Sequence, residues 1–125
     1  MDKVVHFEIP VEDMKRAEKF YNDVFGWKMN SVPSVGYTLI STVETGEKGM
    51  PKESGAINGG MLKRQGPIIS PVITINVKNI DAAIKKLEKL GGKVVMPKFP
   101  VGNMGLSAYF KDTEGNVLGL WQNLK

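Results

Sequence analysis

Two stretches of the chain repeat one order of apolar and polar positions. His6-Phe7-Glu8-Ile9-Pro10-Val11-Glu12-Asp13-Met14 aligns with Val72-Ile73-Thr74-Ile75-Asn76-Val77-Lys78-Asn79-Ile80 at an offset of 66 (72 minus 6). Ile9 falls on Ile75, Val11 on Val77 and Met14 on Ile80. Without a gap, Ala17 then meets Ala83, Tyr21 meets Leu87, Val24 meets Leu90 and Gly26 meets Gly92. Positions 14, 17, 21 and 24 step by 3, 4 and 3, the apolar stripe of an amphipathic helix, and their partners do the same. Asp13 and Asn79 stand where an N-cap side chain would accept from free backbone N–H groups. Gly26 and Gly91-Gly92 stand where a left-handed C-terminal cap suits glycine. The spacing predicts helices over about residues 14–25 and 80–90.

The residues before each helix alternate instead. Val5, Phe7 and Ile9 make one strand face, His6 and Glu8 the other; in the second copy Ile73, Ile75 and Val77 oppose Val72, Thr74 and Asn76. The apolar faces must lie under the helices, so Phe7, Ile9, Val24, Ile75, Leu87 and Leu90 are expected to be buried there. The mixed faces must look the other way. Three further strands are expected after each helix: 27–31, 36–42 and 56–63, then 93–96, 106–111 and 117–122. Polar, glycine-rich 44–55 and proline-bearing 97–105 read as long connections, and Asp112-Thr113-Glu114-Gly115-Asn116 as a tight turn. The pattern predicts an α+β fold of two tandem βαβββ modules forming a curved mixed sheet. It is one domain over 1–125, with module one at about 1–63 and module two at about 71–125. Two helix-free faces would then meet in a common cup.

Composition narrows the chemistry. The 125 residues contain no cysteine, which excludes disulfides and thiol chemistry. The net charge of +4 comes mainly from lysines interleaved with glutamate along both helices, the pattern of a solvated face rather than a nucleic-acid surface. No apolar run approaches the roughly 18 residues of a membrane span, and Met1–His6 shows no basic segment leading into an apolar core. These features lead to the expectation of a cytoplasmic protein without nucleic-acid or membrane partners. With one histidine in the chain, a serine triad has no support, and the glycines of 55–60 lead into a strand rather than a phosphate-binding helix.

His6-Phe7-Glu8-Ile9-Pro10, Phe20-Tyr21, Phe25-Gly26-Trp27, Gly91-Gly92-Lys93-Val94-Val95 and Asp112–Gln122 together resemble the vicinal-oxygen-chelate superfamily. That superfamily includes the glyoxalase, bleomycin-resistance and dioxygenase proteins; Gly59-Gly60 and the Phe-Gly-Trp ending resemble the branch related to lactoylglutathione lyase. The resemblance implies four inward positions that hold a divalent metal in the metal-using members. They fall on His6, Gly60, Val72 and Gly119, and only His6 offers a donor, whereas a catalytic metal generally needs about three protein ligands. No metal cofactor is therefore expected, and a divalent ion would need a substitute ligand such as Glu8.

The expected site is the cup face, lined by His6, Glu8, Asn58, Val72, Thr74 and Trp121, with the direction of Tyr109 open and Gln122 out of phase with Gly119. An apolar concavity with a few polar points is the usual small-molecule site. The reading is a protein that binds a small, partly apolar molecule without metal. The alternatives are a lyase, isomerase or dioxygenase using His6 or Glu8 as acid or base, and an accessory domain acting through a protein partner. Exposed sheet edges and the habits of the superfamily lead to the expectation of a C2 homodimer.

Overall fold

In a computed structural model, residues 1–124 are described. Strand β1 (Lys3–Val11) leads into helix α1 (Met14–Phe25), followed by β2 (Lys28–Val32), a short 3-10 turn at Pro33–Val35, β3 (Tyr37–Ser41) and β4 (Gly59–Lys63). The second module repeats the order with β5 (Val72–Asn76), α2 (Ile80–Lys89), β6 (Lys93–Val101), β7 (Gly105–Lys111) and β8 (Val117–Asn123). The fold is α+β, built from two βαβββ modules. Among the described residues no helix is long and apolar enough to cross a membrane.

Contacts divide the chain into two compact units: His6–Pro71, and Met1–Val5 together with the chain from Val72 onward. The first five residues thus group with the second module rather than with the first.

In the first unit the strand order is β2-β3-β4-β1, antiparallel except for the parallel pair β1 and β4. In the second it is β6-β7-β8-β5, with β5 and β8 the parallel pair. Register makes the equivalence concrete. Glu8 lies opposite Gly60, and Gly60 opposite Leu39. In the same way Thr74 lies opposite Gly119, and Gly119 opposite Tyr109.

Both helices begin as the sequence indicates. The Asp13 side chain accepts from the Arg16 backbone N–H at 3.0 Å, and Asn79 accepts from that of Ala82 at 2.9 Å. Gly26 ends α1 at φ 74°, the left-handed region where a side chain would be strained. A second anchor holds α2: the Gln122 side chain on β8 accepts from the Ile80 N–H at 2.8 Å. Gln122 therefore points to the helix side, away from the face of Gly119.

Each helix packs on one face of its own sheet. Val11, Ile40 and Met61 form the first core, flanked by Phe7, Ile9, Met14, Ala17, Tyr21 and Trp27. Val77, Ile80, Ala108 and Leu120 form the second, flanked by Ile75, Ala83, Ile84 and Leu87. Phe7, Ile9, Ile75 and Leu87 are thus half-buried against these cores. Two residues expected beneath the helices are not there: Val24 is 55% exposed and Leu90 67%. Leu90 is the C-cap, one residue past the end of α2. At the end of α1, Trp27 closes the layer in place of Val24, its ring stacked on Tyr21 with centroids 5.3 Å apart.

The connections also differ from expectation. Residues 97–101 are strand, because β6 continues to Val101 through Pro97 and Pro100. Proline is tolerated there because β6 is the outer strand of its sheet and its pairing with β7 shifts register twice between Val94 and Phe99. Segment 44–55 is a compact reversal tied by a Thr45–Pro51 bridge.

Ile80 has no exposed surface, whereas Leu90 is largely exposed. Ile80→Ala should therefore cost about 2–5 kcal/mol through transfer and cavity terms. Leu90→Ala should stay within about 0.5 kcal/mol. Denaturant unfolding of both variants checks this, and equal costs would contradict the assigned helix face.

Candidate functional site

The helix-free face of the first module carries His6 and Glu8 from β1, Gly60 and Leu62 from β4, and Tyr37 and Leu39 from β3. The registers fix this: Glu8 pairs with Gly60 and Gly60 with Leu39, while Tyr37 pairs with Leu62, and alternate residues along a strand share a face. The two glycines of β4 leave its phase unreadable from sequence, yet Gly60 does lie on the side of His6 and Glu8.

The chemistry on this face converges on one oxygen. The Tyr37 hydroxyl donates to the Glu8 carboxylate (Oε2) at 2.8 Å and lies 2.9 Å from His6 Nε2. Glu8 is 7% exposed, so its carboxylate depends on such partners. Burial pushes the His6 imidazole below its ordinary range, and the nearby Glu8 carboxylate opposes that shift only in part. The ring is thus held neutral near pH 7.

Tyr37 occupies space that a side chain on Gly60 would need. A Cβ built on Gly60 would come 1.7 Å from the Tyr37 hydroxyl and 2.0 Å from its Cζ, far inside contact distance. The superfamily resemblance assigns a ligand carboxylate to this position. In this chain the phenol stands there instead, bonded to His6, the one donor kept among the four positions, and to Glu8.

The second module repeats the exchange on its own helix-free face. Gly119, the position matched to a ligand glutamate, is covered by Thr74: a Cβ there would meet Thr74 Oγ1 at 2.8 Å. Thr74 is 6% exposed and Val72 1%. The Trp121 ring lies over Gly105, with its Cζ2 2.3 Å from where a Cβ would be, and its indole N–H donates to the Asn123 side chain at 2.7 Å. Tyr109, whose direction the sequence left open, is on this face opposite Gly119 and stacks with Phe99 at 6.4 Å between centroids.

Asn58 has a different occupation. It precedes β4, and its side chain accepts from the Thr42 N–H at 2.9 Å and donates to Thr45 Oγ1 at 2.8 Å. It ties the 42–58 segment together, and no contact with His6, Glu8 or Tyr37 engages its polar atoms. Two shallow surface depressions also lie away from these residues. One is beside α1 at Lys15, Glu18 and Asn22, the other beside the start of α2 at Asn79 and Ala82.

A divalent metal does not fit this set. Among the described residues no group of three or more His, Asp or Glu side chains converges. The first module brings together His6 and Glu8, but the phenol oxygen lies between them. Tyr37 is the residue that sequence reasoning missed. The strand pattern placed it in β3 without marking its face, and nothing in the spacing linked it to a glycine more than 20 residues later.

Two repeated βαβββ modules, with such positions on their helix-free faces, are the build of the vicinal-oxygen-chelate class. The chain belongs to the glyoxalase/bleomycin-resistance family within it. A family described as bleomycin resistance protein-like N-terminal matches residues 3–43. A glyoxylase-like domain-containing protein of Didymella fabae is 34% identical over 112 residues, covering 88% of this chain and 85% of that one. The glyoxylase candidate CFP32 of Mycobacterium tuberculosis is 32% identical over 120 residues, which is 92% of this chain. The chain spans only 43% of the length of that relative. Among solved structures, a hypothetical protein of Bacillus halodurans superposes with a TM-score of 0.67 at 19% identity, covering 99% of this chain and 96% of that one. Methylmalonyl-CoA epimerase of Streptomyces coelicolor gives 0.67 at 15% identity, with 98% of each chain covered. At such identities these likenesses speak for the fold.

The collision at Gly60 generates a prediction. Gly60→Ala should cost about 1–3 kcal/mol, because its methyl displaces the Tyr37 ring. In a Tyr37→Ala background that penalty should largely vanish, giving a coupling of about 1 kcal/mol or more. Chemical denaturation of the two single variants and the double variant measures it. Additive costs would show that the ring is not held over Gly60.

Proposed function

We propose that this chain is a family member that binds a small, partly apolar molecule without a metal ion. The helix-free face of the first module provides the polar focus through His6, Glu8 and Tyr37. The observation that carries this reading is the Tyr37 hydroxyl standing where a ligand side chain on Gly60 would be. The phenol satisfies the two donors internally, so no cation is needed to hold them. Leu39, 44% exposed on the same face, supplies apolar surface beside the polar group. A few polar groups in an apolar setting suit orientation of a small organic ligand. Val72, Thr74 and Trp121 belong to the equivalent face of the second module, where hydroxyl and indole again stand over glycines.

The test is equilibrium dialysis against zinc, nickel, manganese and iron, followed by calorimetric titration with bleomycin and small aromatic compounds with and without chelator. Metal content well below one ion per chain is expected, with organic binding indifferent to chelator. Uptake of one ion per chain that is lost on His6→Ala would overturn the reading.

Association is a second part of this proposal. Phe20, Val24 and Phe25 at the end of α1 are 56%, 55% and 58% exposed, an apolar patch larger than scattered surface residues require. We infer that the chain pairs as a homodimer. Light scattering should give twice the chain mass at high micromolar concentration, and Phe20→Glu with Phe25→Glu should return it to monomer. Monomer throughout would refute the pairing.

A further inference from the structure

We propose that Tyr37 is the positioning residue of this site: the Glu8–Tyr37–His6 chain fixes the proton of His6 on Nε2 and presents Nδ1 as the acceptor for a ligand bearing an acidic O–H, a phenol or an enol. This deepens the metal-free binding reading and rests on it.

The direction of the chain follows from counting protons. A carboxylate can only accept, so the single hydroxyl proton of Tyr37 goes to Glu8. The phenol oxygen then has only lone pairs to offer His6, and Nε2, 2.9 Å away, must be the nitrogen that carries the proton. In a neutral imidazole the other nitrogen is an acceptor. Among the described residues His6 Nδ1 makes no hydrogen bond, and no buried side-chain polar atom is left without a partner. Nδ1 is therefore reachable from outside. It presents a lone pair there.

That arrangement selects its ligand. An anion would meet the lone pair unfavourably, and a group without a donor would leave Nδ1 unpaired. An O–H donor satisfies it. The exposed Leu39 on the same face adds apolar surface, which suits an aromatic ring carrying one hydroxyl. When the ligand donates, positive character on the imidazole is passed through Nε2–H and the phenol to Glu8, which strengthens both bonds of the chain. Tyr37 need not touch the ligand to act.

The experiment uses nitrogen-15 NMR of the only histidine in the full chain, with phenol and its methyl ether, anisole, as probes. The expected wild-type spectrum shows Nε2 protonated, with a resolved, slowly exchanging Nε2–H signal. Phenol in the millimolar range should move the Nδ1 resonance, and anisole should not. Tyr37→Phe keeps the ring but removes the acceptor. It should lose the slow Nε2–H signal and weaken phenol by about tenfold, or about 1.4 kcal/mol, with anisole unaffected. His6→Gln should abolish the preference for phenol and serves as the second variant if Tyr37→Phe does not fold. A proton on Nδ1, equal response to both probes, or no phenol binding would overturn the proposal. Each of these outcomes is distinct from stoichiometric metal uptake, which would instead overturn the reading beneath it.

Discussion

The first-module site depends on one oxygen. The Tyr37 hydroxyl is hydrogen-bonded to a histidine, donates to a buried carboxylate and takes the volume that a side chain on Gly60 would fill. Remove any one feature and the others lose their reason. With a carboxylate on β4 the phenol has no room. Without the phenol, Glu8 loses a hydrogen bond at 7% exposure, where each one counts. With neither, no side chain joins His6 to Glu8. The glycine and the tyrosine are therefore one structural choice, made on two strands that register holds side by side.

The same exchange in the second module gives the observation more weight. Thr74 and Gly119 are paired across β5 and β8 as Glu8 and Gly60 are across β1 and β4. In each case the position matched to a metal carboxylate is glycine, and a hydroxyl from the same helix-free face lies over it. The occupants differ because the strands supply different lengths. Thr74 sits directly across from its glycine, so a short side chain reaches. Tyr37 stands two residues along from Leu39, the residue opposite Gly60, and a long phenol spans that diagonal.

Much of the fold was legible in the repeat. The 66-residue offset found both modules, the 3-4-3 stripe found both helices, and Asp13, Asn79 and Gly26 marked their ends. The stripe misled only at its last step. Val24 and Leu90 continue the spacing in sequence, but the packing surface stops short of them, and spacing carries no information about how far a sheet extends. Pro97 and Pro100 misled similarly: they read as a break, yet an outer strand with register shifts accommodates them. On the helix-free faces, parity correctly placed His6, Glu8, Thr74 and Gly119. Asn58 was placed by parity too, but its side chain is engaged by Thr42 and Thr45 of its own loop. Tyr37 was invisible because its role comes from a diagonal across β3 and β4, and strand pairing is what a single sequence shows least.

The filled glycines bear on whether either face could carry the ligands that the family resemblance assigns to it. Adding histidine at Val72 and glutamate at Gly119 would supply donors by residue type alone. The structure adds a steric condition. A side chain on Gly119 begins 2.8 Å from Thr74 Oγ1, so Thr74 must rotate or shrink before the glutamate can be seated. On Gly60 the condition is harsher, because the obstacle at 1.7 Å is the hydroxyl end of a large ring bonded on both sides. The barrier to a metal site is thus not only missing ligands but occupied volume, and that volume is held by hydrogen bonds. A chain that had merely lost its donors would show empty space above both glycines. Here each space is taken by a hydroxyl, so a donor added at either glycine has first to displace it.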